Sequence, residues 1–132
     1  MPYLVDSDVL IDLLAERPEA LELLTHLAPE GLAMSLITYL EVYEGTLRTP
    51  KPQEAQARLR TLLQEIPVLP FSFTLAERCA HLRDSLRRAG KRVRSRAFDV
   101  LVAATALEHN LTLVTHNRED YDDIPGLKLH TP

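Results

Sequence analysis

The chain has 132 residues, of which 45% are hydrophobic and 26% are charged, with a net charge of -4 and one cysteine. This length predicts a single domain, residues 1–132, and the composition excludes a disordered chain. One cysteine excludes a disulfide framework, and no apolar run approaches the ~20 residues of a membrane span or forms a signal peptide. We therefore expect a soluble, cytoplasmic protein with no membrane partner.

Short apolar segments alternate with helical patterns along the chain, which is typical of an α/β fold with a buried parallel sheet. We predict strands near residues 3–5, 32–35, 68–71, 112–115 and 127–129. Helices are predicted near residues 9–15, 19–27, 36–47, 53–65, 75–89 and 100–109. The fifth of these helices is expected to end at Gly90, because glycine terminates helices well.

Asp6 directly follows the first predicted strand and precedes a helix. In open α/β sheets, ligands bind beyond the carboxyl ends of the strands, so this is a favoured place for a functional side chain. Ser7 or Asp8 can cap the next helix by accepting a backbone N–H. Since one cap is enough, we expect Asp6 to be available for another role.

Glu41 lies in the segment "SLITYLEVYEGTL". If Ser35 caps this helix, three- and four-residue spacing predicts an inward stripe of Ile37, Leu40, Glu41, Glu44 and Leu47. A glutamate on such a stripe needs a compensating partner. Other faces of the helix are also possible, and they would leave Glu41 exposed.

Asp99 opens "FDVLVAATAL", a segment that is apolar nearly all round and therefore predicts a deeply packed helix. Steps of three and four residues from Asp99 reach only small or apolar side chains. The residue lies in the first helical turn, where the helix dipole favours negative charge. A dipole role and a site role are both compatible with this position.

Asp120 follows the strand "LTLVT" within "THNREDYDD". Asn117 and Asp120 are three residues apart, so they are neighbours if the segment forms a helical turn. Thr115 and Asn117 offer neutral oxygens, which suit hard cations. Four acids crowd positions 119–123, and any one of them can also be a solvated loop charge.

The acids Asp6, Glu41, Asp99 and Asp120 would repel one another if the fold gathered them without a cation. Mg²⁺ or Mn²⁺ takes such oxygen ligands and keeps waters for chemistry. An ion held by carboxylates can activate water and stabilise the oxygens of a phosphodiester during displacement. The pattern therefore predicts a metal site suited to phosphodiester hydrolysis.

The charge is divided unevenly along the chain. Residues 78–96 carry eight of the fifteen Lys and Arg residues against one acid, a net of +7, whereas the remainder carries seven bases and eighteen acids, a net of -11. A basic strip of this kind suits a polyanion such as RNA, although it also fits a solvated helix face. The candidate RNA-binding residues are Arg87, Arg88, Lys91, Arg92, Arg94 and Arg96.

Taken together, the acidic segments resemble the PIN-domain ribonucleases, and among them the small VapC-type toxins of toxin–antitoxin pairs. The matching stretches are "YLVDSDVLID", "SLITYLEVYEG", "FDVLVAATALEHNLTLVTHNREDY" and "IPGLKL", which occur in family order and span nearly the whole chain. The resemblance implies a three-layer α/β/α sandwich around a short, mostly parallel sheet. It also implies an acidic pocket that binds Mg²⁺ or Mn²⁺.

Residue by residue, Asp6, Glu41 and Asp99 match the first three acids of the family. Family members place the fourth acid at the site of Asn117, of Asp120, or at both. Here the first is an amide and the second an acid, so Asp120 is the expected ligand, with Asn117 and Thr115 in support. Ser7 stands where the family usually has threonine, and Asp8 where asparagine is common. Asp8 therefore adds a negative charge near the pocket, or caps the helix.

The resemblance predicts a metal-dependent endoribonuclease. Asp6, Asp99 and Asp120 would hold one or two ions, and Glu41 would be a further ligand or would position the attacking water. In-line displacement would leave a 5′-phosphate. Toxins of this type are held inactive by a small antitoxin and commonly form homodimers or larger oligomers.

Two other interpretations remain at this point. The chain could be a catalytically silent PIN-like module that binds RNA or protein. It could also be a haloacid-dehalogenase-type phosphatase, in which Asp6 is the nucleophile and Asp8 the acid/base. The remaining roles in that phosphatase would fall to Thr115, Lys128 and the pair Asp122–Asp123, and Glu41 and Asp99 would have none.

Overall fold

Five short parallel strands lie at the centre of the computed structural model, which describes residues 2–132. They are β1 (Tyr3–Val5), β2 (Leu32–Ser35), β3 (Val68–Leu69), β4 (Thr112–Val114) and β5 (Lys128–His130). Their order in the sheet is β3-β2-β1-β4-β5, and every neighbouring pair is parallel. The predicted parallel sheet is therefore confirmed, with β1 as its central strand.

Within residues 2–132, six α-helices cover the two faces of the sheet. They are α1 (Ser7–Leu14), α2 (Pro18–Leu27), α3 (Leu36–Thr46), α4 (Pro52–Leu62), α5 (Phe73–Arg88) and α6 (Ala97–Glu108). Val5 and Val114 pack with α1, α2 and α4 on one face, whereas Leu4 and Leu113 pack with α6 on the other. α5 packs in turn on α6. This alternation confirms the three-layer α/β/α sandwich.

None of the helices within residues 2–132 combines the length and the apolar character needed to span a bilayer.

The register of the strands brings their carboxyl ends to one edge of the sheet. Val5 pairs with Val114, and the backbone N–H of Asp6 donates to the Val114 carbonyl at 2.9 Å. Ser35 ends the neighbouring strand β2. The residues that follow β1, β2 and β4 therefore meet at this edge.

Proline and capping residues explain two boundaries that differ from the predictions. β3 ends at Leu69 instead of residue 71, because Pro70 has no N–H to contribute to the sheet. α5 begins at Phe73, two residues earlier than predicted. Its N-cap is Ser72, whose hydroxyl accepts a hydrogen bond from the Leu75 N–H at 3.1 Å.

The predicted end of α5 is confirmed. Gly90 adopts a φ of 73°, a left-handed conformation that glycine tolerates without strain. The N–H of Gly90 donates to the Arg87 carbonyl, and the N–H of Lys91 donates to the Leu86 carbonyl, both at 2.9 Å. This pair of hydrogen bonds is a Schellman motif, which closes the carboxyl end of the helix.

The inward face of α3 differs from the predicted stripe. The buried residues are Ile37, Thr38, Val42 and Thr46, whereas Leu40 and Leu47 are 44% and 59% exposed. Thr38 turns inward because Ser35, the predicted N-cap, binds both the backbone N–H and the hydroxyl of Thr38. Glu44 is exposed, and Glu41 lies half-buried at the boundary of the face.

Arg96 is buried, with only 3% of its surface exposed. Its guanidinium donates two parallel hydrogen bonds to Asp123, at 2.6 and 2.9 Å. Further hydrogen bonds reach the backbone carbonyls of Arg92 and Asp120, at 2.7 and 3.0 Å. These contacts join the segment before α6 to the loop between β4 and β5.

We expect Asp123→Ala to lower the free energy of unfolding by about 2 to 3 kcal/mol, because it leaves a buried guanidinium without its carboxylate. Asp122→Ala, at the exposed neighbouring position, should change stability by less than about 0.5 kcal/mol. Urea unfolding of both variants measures the difference. Equal effects of the two substitutions would show that the Arg96–Asp123 pair does not stabilise this fold.

Candidate active site

The carboxylate of Asp6 lies at the carboxyl end of β1 and is only 4% exposed. One oxygen accepts the N–H of Ser7 at 2.9 Å. The other accepts the hydroxyl of Thr115 at 2.9 Å and lies 3.1 Å from that of Tyr121. Burial, followed by repulsion from Asp8, raises the pKa of Asp6 to about 6, although these hydrogen bonds oppose the shift.

The prediction that Ser7 or Asp8 caps α1 is wrong, because Asp6 itself occupies the N-cap. The helix begins immediately after the strand, so Ser7 is already its first residue. Asp8 instead accepts the backbone N–H groups of Val9 and His116, at 2.7 and 3.0 Å. Asp8 thereby ties the start of α1 to the loop that follows β4.

Asp99 is the third residue of α6 and is half-buried. One of its carboxylate oxygens lies 3.1 Å from the Tyr121 hydroxyl, the same hydroxyl that contacts Asp6. Burial and repulsion from Asp120 raise the pKa of Asp99, while the hydrogen bond from Tyr121 and the charges of Arg96 and Arg92 oppose that rise. The structure therefore brings Asp6 and Asp99 to one hydroxyl from distant parts of the chain.

Glu41 projects from α3 and is half-buried beside these acids. Its pKa is raised, first by burial and then by the charges of Asp99, Glu44 and Asp8. A hydrogen bond with the Ser7 side chain opposes the shift. Ser7 therefore supports Glu41, and Glu41 belongs to the same electrostatic cluster as Asp6 and Asp99.

Asp120 lies in a short 3-10 turn, Arg118–Asp120, beyond β4. Its carboxylate pairs with Arg92 at 3.4 Å, and its negative charge contributes to the raised pKa of Asp99. Asn117 precedes the turn, and its N–H donates to the Thr115 hydroxyl at 3.0 Å. Thr115 thus links this loop to Asp6, whereas the Asp120 side chain faces an arginine.

The donor set fits a hydrated divalent ion better than an ion enclosed by protein. Within residues 2–132, no group of three or more His, Cys, Asp or Glu side chains is arranged to hold an ion by itself. The four predicted ligands therefore do not form one closed cage. Mg²⁺ usually binds through one or two carboxylates and keeps several waters. Asp6 and Asp99 provide such a pair. Their pKa values are raised first by burial and then by neighbouring acids, so their negative charge is unfavourable here and a cation would relieve that cost.

The sequence reasoning missed Tyr121, which is 1% exposed and contacts both central carboxylates. The prediction is based on charged residues, and it therefore selects among the acids on either side of Tyr121. The uncharged phenol is not considered. The sequence feature that could have identified Tyr121 is its position as an aromatic residue in an otherwise polar loop, directly after Asp120.

The predicted RNA-binding residues divide into two groups. The first group contacts the loop between β4 and β5. Arg96 is buried against Asp123, Arg92 pairs with Asp120, and Lys91 donates to the Asp123 carbonyl at 2.8 Å. The second group, Arg87, Arg88 and Arg94, is exposed. Of these, Arg88 pairs with Asp84 on its own helix. A buried, bidentate Arg96 cannot reach a phosphate, so it leaves the candidate set.

Comparison with known proteins gives the family. The family model described as "PIN domain" matches residues 3–127. The chain belongs to the PIN-domain family. A protein named ribonuclease VapC2 from Rickettsia felis is 28% identical and is matched over 98% of this chain and 96% of its own length.

Two solved structures have a similar fold. The VapBC2 structure from Rickettsia felis, bound to a promoter DNA fragment, superimposes with a TM-score of 0.89 at 26% identity, covering 100% of this chain and 99% of the other. A toxin–antitoxin complex from Klebsiella pneumoniae gives a TM-score of 0.75 at 33% identity, covering 95% and 94%.

The phosphatase alternative is wrong. In addition to the family match, Lys128 pairs with Thr112 at the amino end of β4, whereas Asp6 lies at the opposite edge of the sheet. Lys128 therefore cannot neutralise a phosphorylated Asp6. That mechanism leaves Glu41 and Asp99 without a role. In the structure Asp99 shares the Tyr121 hydroxyl with Asp6, and Glu41 interacts with Asp99 and Ser7.

The buried charge of Asp6 predicts a cost in stability that asparagine avoids. An unfolded chain loses the Asp6 proton near pH 3.8 and the folded protein near pH 6, so wild-type stability falls as pH rises between these values. We expect Asp6→Asn to stabilise the metal-free protein by roughly 3 kcal/mol above pH 6, with little gain below pH 4. Urea unfolding in EDTA from pH 4 to 7 measures this, with Asp122→Asn as control. A gain that is the same at both ends of that range would contradict the assignment.

Proposed function

We propose that this protein is a metal-dependent endoribonuclease and the toxin of a VapBC-type toxin–antitoxin pair, formed by one PIN-like domain over residues 1–132. The observation that carries the proposal is the convergence of Asp6 and Asp99 on one hydroxyl, with Glu41 beside them. The PIN family match and the relative named a ribonuclease support the nuclease activity.

Asp6 and Asp99 would hold the ion, with Asp120 as a third ligand once Arg92 releases it. Mg²⁺, or Mn²⁺ in its place, would supply Lewis-acid stabilisation of the phosphodiester oxygens and lower the pKa of a water. Thr115 and the Ser7 N–H hold the Asp6 carboxylate in a fixed orientation. Asn117 contributes through its backbone, by fixing the Thr115 hydroxyl.

Glu41 would accept a proton from the attacking water. Its raised pKa makes it a better base than an ordinary glutamate. Attack of the water oxygen on phosphorus would break the bond to the 3′ oxygen, which would take a proton from solvent water and leave as a 3′-hydroxyl. The other product carries the 5′-phosphate.

RNA would approach along the basic strip, through Arg87, Arg88 and Arg94, which are exposed and, within residues 2–132, form no hydrogen bond or ion pair with the loop between β4 and β5. Arg92 and Lys91 lie nearer the acids and are engaged within the protein. Arginines of this kind supply salt-dependent affinity for the phosphate backbone with little base selection.

A small antitoxin protein is the proposed partner, and the Klebsiella pneumoniae toxin–antitoxin complex supports it. We also propose that the chain forms a homodimer or larger oligomer in the cytoplasm. Exposed apolar side chains on α3 and at the start of α6, Leu36, Leu40 and Phe98, are suited to such contacts.

The nuclease proposal is tested with a labelled tRNA and the isolated chain. We expect cleavage with Mg²⁺ or Mn²⁺, none in EDTA, recovery when metal is restored, and background rates for Asp6→Asn. Products should carry 5′-phosphates, which 5′-phosphate-dependent exonuclease digestion detects. A folded protein that binds Mn²⁺ and RNA without cutting would instead support the silent binding module.

The basic strip is tested by replacing Arg87, Arg88 and Arg94 together with glutamine. We expect weaker RNA binding and a slope of log affinity against log salt that is reduced by about 2, since each lost single-strand phosphate contact removes about 0.7. The control replaces Arg48, Lys51 and Arg60, which are exposed on another part of the surface. Fluorescence anisotropy from 50 to 300 mM salt gives both slopes, and an unchanged slope in the first variant would refute the role.

A further inference from the structure

One hydroxyl lies between two carboxylates at the carboxyl edge of the sheet. The Tyr121 oxygen is 3.1 Å from Oδ2 of Asp6 and 3.1 Å from Oδ1 of Asp99. The aromatic ring is fixed by the core around Leu4, Val102 and Leu113, so the position of the hydroxyl is set by the fold. Its pKa is raised by burial and by both carboxylates, and it therefore keeps its proton.

The two carboxylates depend on this hydroxyl to different degrees. Asp6 also accepts hydrogen bonds from the Ser7 N–H and the Thr115 hydroxyl. Asp99 has Tyr121 as its one hydrogen-bonding side-chain partner among residues 2–132, and the charges of Arg92 and Arg96 also attract it. Without the hydroxyl, repulsion from Asp6 and attraction to the arginines would both act on Asp99.

We infer that Tyr121 is a positioning residue for the metal site: its hydroxyl holds Asp99 beside Asp6, so that the two carboxylates are already paired when the ion arrives. This inference rests on the proposed nuclease function. It adds to the acidic residues of the proposed metal site a tyrosine that positions one of them. Holding a flexible ligand in its bound orientation removes an ordering cost from binding. The hydroxyl thus raises metal affinity through Asp99, and it need not touch the ion.

The test is Tyr121→Phe, which removes the hydroxyl and keeps the ring in its core. We expect the Mn²⁺ dissociation constant, measured by titration calorimetry or electron paramagnetic resonance on the isolated chain, to rise about fivefold, the ratio expected for one hydrogen bond. Tyr43→Phe, the same substitution at an exposed position on α3, should change this dissociation constant by less than twofold. An unchanged Mn²⁺ affinity in Tyr121→Phe would overturn the inference.

A second measurement separates positioning from a general loss of structure. The Phe variant should need about fivefold more Mn²⁺ for half-maximal RNA cleavage and reach nearly the wild-type rate at saturation, whereas Asp99→Asn should not recover. A rate that stays low at saturating Mn²⁺ would contradict the positioning role. If Tyr121→Phe is partly unfolded in EDTA, the rise of its urea midpoint with Mn²⁺ concentration gives the same affinity by linkage.

The nuclease proposal and the inference fail in different ways. Wild-type protein that neither binds Mn²⁺ nor cuts RNA would overturn both. Wild-type protein that does both, and that Tyr121→Phe matches at every Mn²⁺ concentration, would overturn the role of Tyr121 alone.

Discussion

The burial of one carboxylate, that of Asp6, is the constraint on which the site depends. The central strand β1 ends at Val5, and the parallel register with β4 places Thr115 beside the first polar residue after the strand. A charge in this position is unfavourable by itself, as its raised pKa records. The surrounding hydroxyls and N–H groups reduce that cost without removing it, which leaves a site whose electrostatics favour a cation.

Much of this arrangement could be predicted from the sequence, because it follows from where strands and helices end. Asp6, Asp99 and Thr115 are placed by the carboxyl edge of a parallel sheet and by a first helical turn, which apolar patterning reveals. The face of α3 could not be predicted in this way. Ser35 draws Thr38 inward through two hydrogen bonds, and apolar periodicity gives no weight to a satisfied threonine.

The basic strip shows a second limit of sequence reasoning. Charge counting treats Arg94 and Arg96 alike, although they are two residues apart and differ completely in exposure. Their roles are separated by Asp123, which lies 27 residues away from Arg96 along the chain and binds its guanidinium. Pairings of this kind depend on how the β4–β5 loop folds back, and composition carries no information about that geometry.

The Arg96–Asp123 pair affects how a genetic selection for inactive variants of this protein would be interpreted. Cells that survive expression of an active toxin carry inactivating substitutions, and such survivors are commonly read as a map of catalytic residues. Substitutions at Arg96 or Asp123 would be recovered in that selection because little folded protein accumulates. Immunoblotting of the survivors distinguishes these positions from Asp6, where loss of the buried charge is expected to leave the fold stable. The guanidinium at position 96 would otherwise be mistaken for a contact to RNA.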